Sequence, residues 1–139
     1  MTATRASATR TNTGAGRALV AVYGVFALAA TARASVQLVT RFDEAPLAYL
    51  LSAVAGVVYI VATVSLALGS RTFRRVAWVA VGLELAGVLT VGTLSLLQPE
   101  AFPRATVWSV YGIGYGFVPL VLPVLGLLWL ARTRPAVAG

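Results

Sequence analysis

The sequence predicts an all-α polytopic membrane protein, an up-down bundle of four transmembrane helices. The first observation behind this prediction is composition: 59% of the 139 residues are hydrophobic and 11% are charged. A soluble domain carries about 25% charged residues, so this chain cannot cover a surface that faces water. The second observation is that the apolar residues fall into four runs. Each run supplies the roughly 20 residues that a helix needs to cross a bilayer.

Short polar connections separate the four predicted spans. They read RFDEAP, GSRTFRR and QPEAFPRATV, and they contain the charges and turn residues that end a membrane helix. Because the connections are short, neighbouring helices must run antiparallel, which gives the up-down order. The predicted spans are residues 18–40, 47–68, 76–97 and 108–131, within one transmembrane domain over 18–131.

The two ends of the chain differ from this domain. Residues 1–17 are rich in Thr, Ala and Arg without apolar periodicity, which predicts a disordered basic tail. Residues 132–139 are predicted to form a short cytoplasmic tail. An alternative for the first span is a cleavable signal peptide, because an apolar run over 19–29 is followed by ATA. Apolar character resumes after Arg33 with SVQLV, so a retained helix is the preferred interpretation.

The arginines predict the orientation. All eleven basic residues are Arg and the formal net charge is +7. Most lie in the two tails and the middle connection, whereas the other two connections hold three of the four acidic residues. Positive residues stay inside, so we expect a multi-pass protein of the bacterial cytoplasmic (inner) membrane with both termini cytoplasmic. Topology explains the charge, so no nucleic-acid partner is expected. Tryptophans are predicted at the inner boundary (Trp78, Trp129) and the outer one (Trp108).

Several kinds of chemistry are excluded by residue type. The chain has no Cys and no His, which removes disulfides, thiolate nucleophiles, most zinc and haem sites and the commonest general base. No catalytic residue, metal ligand or cofactor is therefore predicted.

Two charged residues fall inside predicted spans, Arg33 and Glu84. A charge near the middle of a bilayer costs about 2.5–3.5 kcal/mol on insertion scales, so such residues normally have partners. At 1.5 Å per residue the two Cα atoms differ in height by roughly 8–10 Å, which leaves direct pairing open. The predicted network is either a structural one that fixes the bundle or a proton- or substrate-coupled site. It comprises Arg33, Gln37, Tyr59, Glu84, Thr90 and Tyr115.

The stretch YGIGYGFVPLVLP, residues 111–123, superficially resembles a potassium-channel filter. A filter needs a pore helix before it and a complete span after it, and neither is present. The preferred interpretation is a packing face, in which Gly112 and Gly116 form a G-x-x-x-G groove for a neighbouring helix. Ser52 and Gly56 repeat that spacing in the second span. Two prolines are predicted to kink the fourth helix near the middle of the membrane, Pro119 and Pro123.

A resemblance rests on three stretches that cover nearly the whole chain beyond the N-terminal tail. They are VYGVFALAATARASVQLVTRFDEAPLAYLLSAVAGVVYIVAT, ELAGVLTVGTLSL and GYGFVPLVLPVLGLLWL. These resemble a family of small actinobacterial four-helix integral membrane proteins. The resemblance implies no activity, cofactor or catalytic residue.

Three functions are compatible with these residues. The preferred one is a non-enzymatic accessory or structural membrane component, whose partners are membrane lipid and either another membrane protein or further copies of itself. The alternative is a small proton-coupled exporter using Glu84. It shares size, span number and a single membrane glutamate with small multidrug resistance exporters, although their glutamate lies in the first helix. A lipid-directed enzyme built on Asp43, Glu44 and Glu100 is disfavoured, because acidic residues in turns are usually only solvated.

Overall fold

The computed structural model describes residues 9–10 and 14–134, and this part of the chain is almost entirely helical. The four α-helices are α1 (Ala15–Thr40), α2 (Pro46–Leu68), α3 (Arg71–Leu97) and α4 (Val118–Arg132). Three 3₁₀ segments lie between them, at Phe42–Glu44, Pro99–Ala101 and Ser109–Tyr115. Two short stretches, β1 (Thr9–Arg10) and β2 (Thr133–Arg134), pair in parallel.

Helices α1, α2 and α3 are long and apolar enough to cross a membrane. They contain 26, 23 and 27 residues, or about 39, 35 and 41 Å at 1.5 Å per residue. All three exceed the roughly 30 Å of a hydrocarbon core. The prediction of long apolar helices in these three places is confirmed, and the helices begin up to five residues earlier than predicted.

The predicted tails fall only in part within the described residues. Residues 15–17, assigned by sequence to the tail, form the first turn of α1, and residues 9–10 form β1. Residues 1–8, 11–13 and 135–139 lie outside the described part of the chain.

Local sequence explains the tight turn between α2 and α3. Gly69 ends α2 in the left-handed conformation, with φ of 65°, which glycine adopts without a steric penalty. Ser70 then begins α3, and its Oγ accepts a hydrogen bond of 3.4 Å from the Phe73 backbone N–H. Such a cap satisfies one of the free amides at a helix start.

The fourth span needs correction, because it is not one helix over 108–131. Residues 109–115 form a 3₁₀ segment and α4 begins only at Val118, with a bend of 100° between them. Gly116 and Phe117 at the bend have positive φ values of 63° and 62°, so α-helix cannot continue through them. Residues 14–134 therefore contain three candidate spans, or four if the bent pair counts as one broken span.

The helices pack in chain order. Extensive contacts join α1 to α2 and α2 to α3, while α3 packs on α4 and on the 3₁₀ segment before it. In contrast, α1 and α4 make few contacts with each other. The core of the bundle is built from small and aromatic side chains, among them Tyr23, Ala27, Ala55, Tyr59, Ala62, Val81, Val88 and Trp108.

Arginine and acidic residues mark opposite ends of the helices. The arginine end, where α1 and α3 begin and α2 and α4 finish, carries Arg17, Arg71, Arg74, Arg75 and Arg132. The acidic end carries Asp43, Glu44 and Glu100.

Candidate functional site

The most unusual polar residue is Glu84, which lies in the middle of α3 with no exposed surface. Residues from the other helices surround it. Tyr23 of α1 lies beside its carboxyl, and the Tyr23 hydroxyl in turn lies against Gly126 of α4. The Tyr23 ring is 6.3 Å from that of Tyr59 on α2. All four helices therefore contribute to this buried centre.

The Glu84 carboxyl has the Tyr23 hydroxyl as its neighbouring hydrogen-bond donor, but the two groups are poorly aligned. Neither of its oxygens meets the geometry of a hydrogen bond, and nor does the hydroxyl of Tyr23 beside it. An unsatisfied buried polar group costs about 1–3 kcal/mol, and a charged one more. A protein keeps such a group only where the surrounding packing holds it or where its chemistry is used.

Trp108 closes the buried centre from the side of the acidic end. Its ring nitrogen donates a hydrogen bond of 3.2 Å to the Tyr59 hydroxyl. Its ring also occupies the place that a side chain at Gly87 would need, since a Cβ there would lie 2.6 Å from ring carbons. Trp108 is 4% exposed, so its ring packs against protein, and its position at the outer headgroup boundary stays a prediction.

The segment that carries Trp108 is called here the folded linker, residues 98–117. Side-chain oxygens accept hydrogen bonds from its backbone. The Thr106 N–H donates to Ser109 Oγ at 2.9 Å and the Trp108 N–H donates to Thr106 Oγ1 at 3.0 Å. The Val110 N–H donates to Ser95 Oγ at 2.8 Å. The Tyr111 ring lies against Gly92 of α3, and its hydroxyl is 2.8 Å from Thr93 Oγ1. Irregular backbone at membrane depth needs this kind of partner from the protein itself.

An aromatic path leads from the buried centre to Arg33. The Phe26 ring lies 6.1 Å from that of Tyr59 and 5.6 Å from that of Tyr115. The Tyr115 hydroxyl accepts a hydrogen bond of 2.8 Å from Arg33 Nη1. These separations suit attractive aromatic pairs. Arg33 and Glu84 therefore lie at two ends of one cluster and do not pair directly.

The remaining residues of the predicted network are not all joined to it. Gln37 follows Arg33 by one turn of α1, and its buried side-chain oxygen has no partner among the described residues. Thr90 is exposed on α3. At the acidic end Glu44 pairs with Arg104 at 3.3 Å, with both side chains largely exposed, and such pairs contribute at most about 1 kcal/mol.

The predicted glycine groove of the fourth helix is wrong. Gly112 and Gly116 have φ values of 84° and 63° and lie in the folded linker, outside any α-helix. Pro119 occupies the first turn of α4, where a missing N–H does no harm. The break therefore precedes Pro119 and comes from left-handed residues. Pro123 does lie inside α4, buried.

The small residues of α2 do serve helix contact. Ser52 and Gly56 are both buried. A Cβ at Gly56 would lie 3.1 Å from Thr31 Oγ1 and 3.4 Å from Thr31 Cα, so α1 crosses α2 closely at this point.

One residue missed by the sequence reasoning is Arg74, at the arginine end of α3. Its guanidinium donates 2.7 Å to the Leu130 carbonyl and 3.0 Å to Thr133 Oγ1. It thus binds the last turn of α4, where carbonyls lack helical partners and a cation is favourable. The sequence does carry a signal for this contact, because a cluster of arginines begins α3 in a bundle whose antiparallel order places the end of α4 beside it.

Comparison with known proteins adds no name to this site. No protein-family model, no curated protein and no solved structure matches this chain. Within the described residues, no group of three or more His, Cys, Asp or Glu side chains is placed to hold a metal ion.

Proposed function

We propose that this protein is a non-enzymatic accessory component of a bacterial cytoplasmic membrane, a four-span bundle that binds another membrane protein through α1. Its resemblance to small actinobacterial membrane proteins suggests an actinobacterial source. Both termini then lie in the cytoplasm, because the arginine end follows the positive-inside pattern.

The observation that carries the proposal is the exposure of Arg33 within a candidate span. Arg33 lies seven residues before the end of α1, about 10 Å along the helix axis, and its side chain is exposed. A guanidinium has five N–H donors, and Arg33 makes one hydrogen bond within the described part of the chain, to Tyr115. Donors left in contact with lipid are costly, so a protein partner would stabilise them.

The surface around Arg33 suits a helix that carries an acceptor. It is a groove along α1 whose lining includes Ala29, Ala32, Val36 and Gln37. The small alanines allow a second helix to approach closely. A carboxylate on that helix would accept hydrogen bonds from the remaining N–H donors of Arg33. A second copy using the same surface would present the same groove to Arg33, and the lining of that groove contains no carboxylate. A different protein is therefore favoured over a homodimer.

Native mass spectrometry after extraction in a mild detergent tests this proposal. We expect a second protein in fixed stoichiometry with the wild-type chain and its loss in Arg33→Gln. The matched control is Arg104→Gln, which removes the same charge from an exposed arginine outside the helices. Retention of the partner by both variants, or extraction of a chain without any partner, would rule the proposal out.

The buried carboxyl of Glu84 favours a second candidate, a small proton-coupled exporter. A fully buried glutamate between four helices could bind a proton in one state and release it when a cationic substrate binds. The test is uptake of a lipophilic cation such as tetraphenylphosphonium into proteoliposomes under a pH gradient. Transport by the wild type that Glu84→Gln abolishes, with the fold intact, would establish it. The absence of gradient-driven uptake by the wild type would leave Glu84 a structural residue.

A further inference from the structure

Because α1 and α4 make few contacts with each other, a groove lies between them. This α1–α4 groove has a volume of about 570 Å³, within the roughly 300–1,000 Å³ of small-molecule sites. Its walls are apolar along most of its length, and polar groups occur only at the arginine end. The lining includes Leu19, Val22, Val121, Leu125, Trp129 and Arg132.

Arg132 at that end has no counter-charge within the residues that the structure describes. It is exposed, and within the described part of the chain it has no ion pair or hydrogen bond. Arg17 is also exposed, in the first turn of α1. The four acidic residues of the chain lie elsewhere: one is buried in the middle of α3 and three lie at the acidic end. An anion from outside the protein would therefore meet uncompensated positive charge here.

We propose that the α1–α4 groove is a binding site for one anionic phospholipid, with an acyl chain along the groove and the phosphate at Arg132. The apolar walls match a hydrocarbon chain, and the arginine matches the headgroup. Trp129, at the same end of the groove, suits the depth at which chain and headgroup meet, where amphipathic rings are favoured. A basic residue near an anionic headgroup contributes about 1 kcal/mol, equal to roughly a fivefold change in affinity.

The same end of the bundle offers a second groove for comparison. It lies between α2 and α3, with apolar walls that include Val61, Val79 and Leu83, and with Arg75 in its lining. Arg71, by contrast, is exposed at this end but lines neither groove. Arg71→Gln therefore removes the same charge as Arg132→Gln from the same end while leaving the α1–α4 groove intact.

The experiment titrates the delipidated full chain in detergent with phosphatidylglycerol or phosphatidylcholine and counts bound lipid by native mass spectrometry. We expect the first phosphatidylglycerol to bind about fivefold more tightly than phosphatidylcholine. Arg132→Gln should remove this preference, Arg132→Lys should keep it, and Arg71→Gln should change it less than twofold. Equal losses in Arg132→Gln and Arg71→Gln would show general surface attraction and overturn the site.

A second pair of variants tests the acyl groove. Leu125→Trp places a larger ring in the groove and should weaken binding of both lipids. Leu28→Trp adds the same ring at a residue of α1 that is 75% exposed and outside the groove, and should have no effect. Glycerol phosphate, the headgroup without chains, should not compete at matched concentration. Full competition by glycerol phosphate, or an unchanged affinity in Leu125→Trp, would show an anion site without a lipid groove and would overturn the proposal. Arg33 lies toward the other end of α1, so this result is independent of the partner proposal.

Discussion

The two halves of the molecule use glycine in different ways. In the first half, Gly56 allows α1 and α2 to cross closely, and the atoms that it meets belong to Thr31 of the neighbouring helix. In the second half, Gly87 and Gly92 of α3 receive the rings of Trp108 and Tyr111 from the folded linker. The first contact joins two regular helices. The second anchors an irregular segment to α3 through aromatic side chains.

This difference has a physical consequence for stability. At the α1–α2 crossing the two helices meet through small residues, Gly56 and Thr31, so no single side chain should dominate at that contact. The second half depends on a few large rings, and a ring buries far more surface than an alanine. Substitutions in the folded linker and in the glycines that receive it should therefore be the most damaging.

The largest effect is expected for Trp108→Ala. The change removes a buried ring and its hydrogen bond to Tyr59, and such truncations cost about 3–5 kcal/mol. The measurement is the free energy of unfolding in mixed micelles of dodecyl maltoside and SDS. Trp78→Ala is the control, since Trp78 is 41% exposed and its loss should cost much less. Equal costs for the two would mean that Trp108 does not anchor the linker.

Gly87→Ala should come next. Its new methyl group would lie 2.6 Å from the Trp108 ring, and overpacking of this kind costs about 1–3 kcal/mol. Gly82→Ala, in the same helix, meets nothing within 4 Å and should gain about 0.5–1 kcal/mol from helix propensity. In a Trp108→Ala background the cost of Gly87→Ala should disappear. A cost that persists there would contradict the contact.

The contrast between the halves also explains what the sequence could predict. α1, α2 and α3 follow from apolar runs bounded by charges, and the Ser52–Gly56 spacing indicated a close helix contact. Burial of Glu84 followed from its place in the middle of such a run. These features depend on local composition and period, which one sequence displays directly.

The prediction of one continuous fourth helix is wrong because closely spaced glycines are compatible with two different structures. Glycines at 112, 114 and 116 can pack a helix or break one, and their spacing alone favours packing. In the structure the helix is broken in this region, and Val110, Tyr111 and Phe117 also have left-handed backbone. Bulky residues adopt that conformation only when tertiary contacts enforce it. Those contacts come from α3, so periodicity within the fourth span could not reveal them. Tyr23 and Trp108 were missed in the site for the same reason.

Gly116→Ala tests the left-handed turn and should have an intermediate effect. The position has open space around it but a φ of 63°, so the cost arises from backbone conformation alone, about 1–2 kcal/mol. Gly114→Ala is matched, because Gly114 also meets nothing within 4 Å and has no positive φ. Gly116→Asn should recover part of the loss, since Asn tolerates this conformation. If Gly114→Ala and Gly116→Ala cost the same, the residues instead form a continuous helix.

The smallest effect is expected in the first half, for Gly56→Ala. The added methyl group would lie 3.1 Å from Thr31 Oγ1, a hydroxyl on a side chain that can rotate, and about 0.5–1 kcal/mol of helix propensity offsets the crowding. The net change in unfolding free energy should therefore stay below about 1 kcal/mol, well under that of Trp108→Ala. Gly24→Ala, with its nearest contact at an ordinary 3.8 Å, should be stabilising and serves as the control. A loss at Gly56 as large as that at Gly87 would show that backbone contact with Thr31 Cα, 3.4 Å away, dominates over the rotatable hydroxyl. The two halves would then rely on glycine to the same degree, and the folded linker would no longer be the more sensitive region.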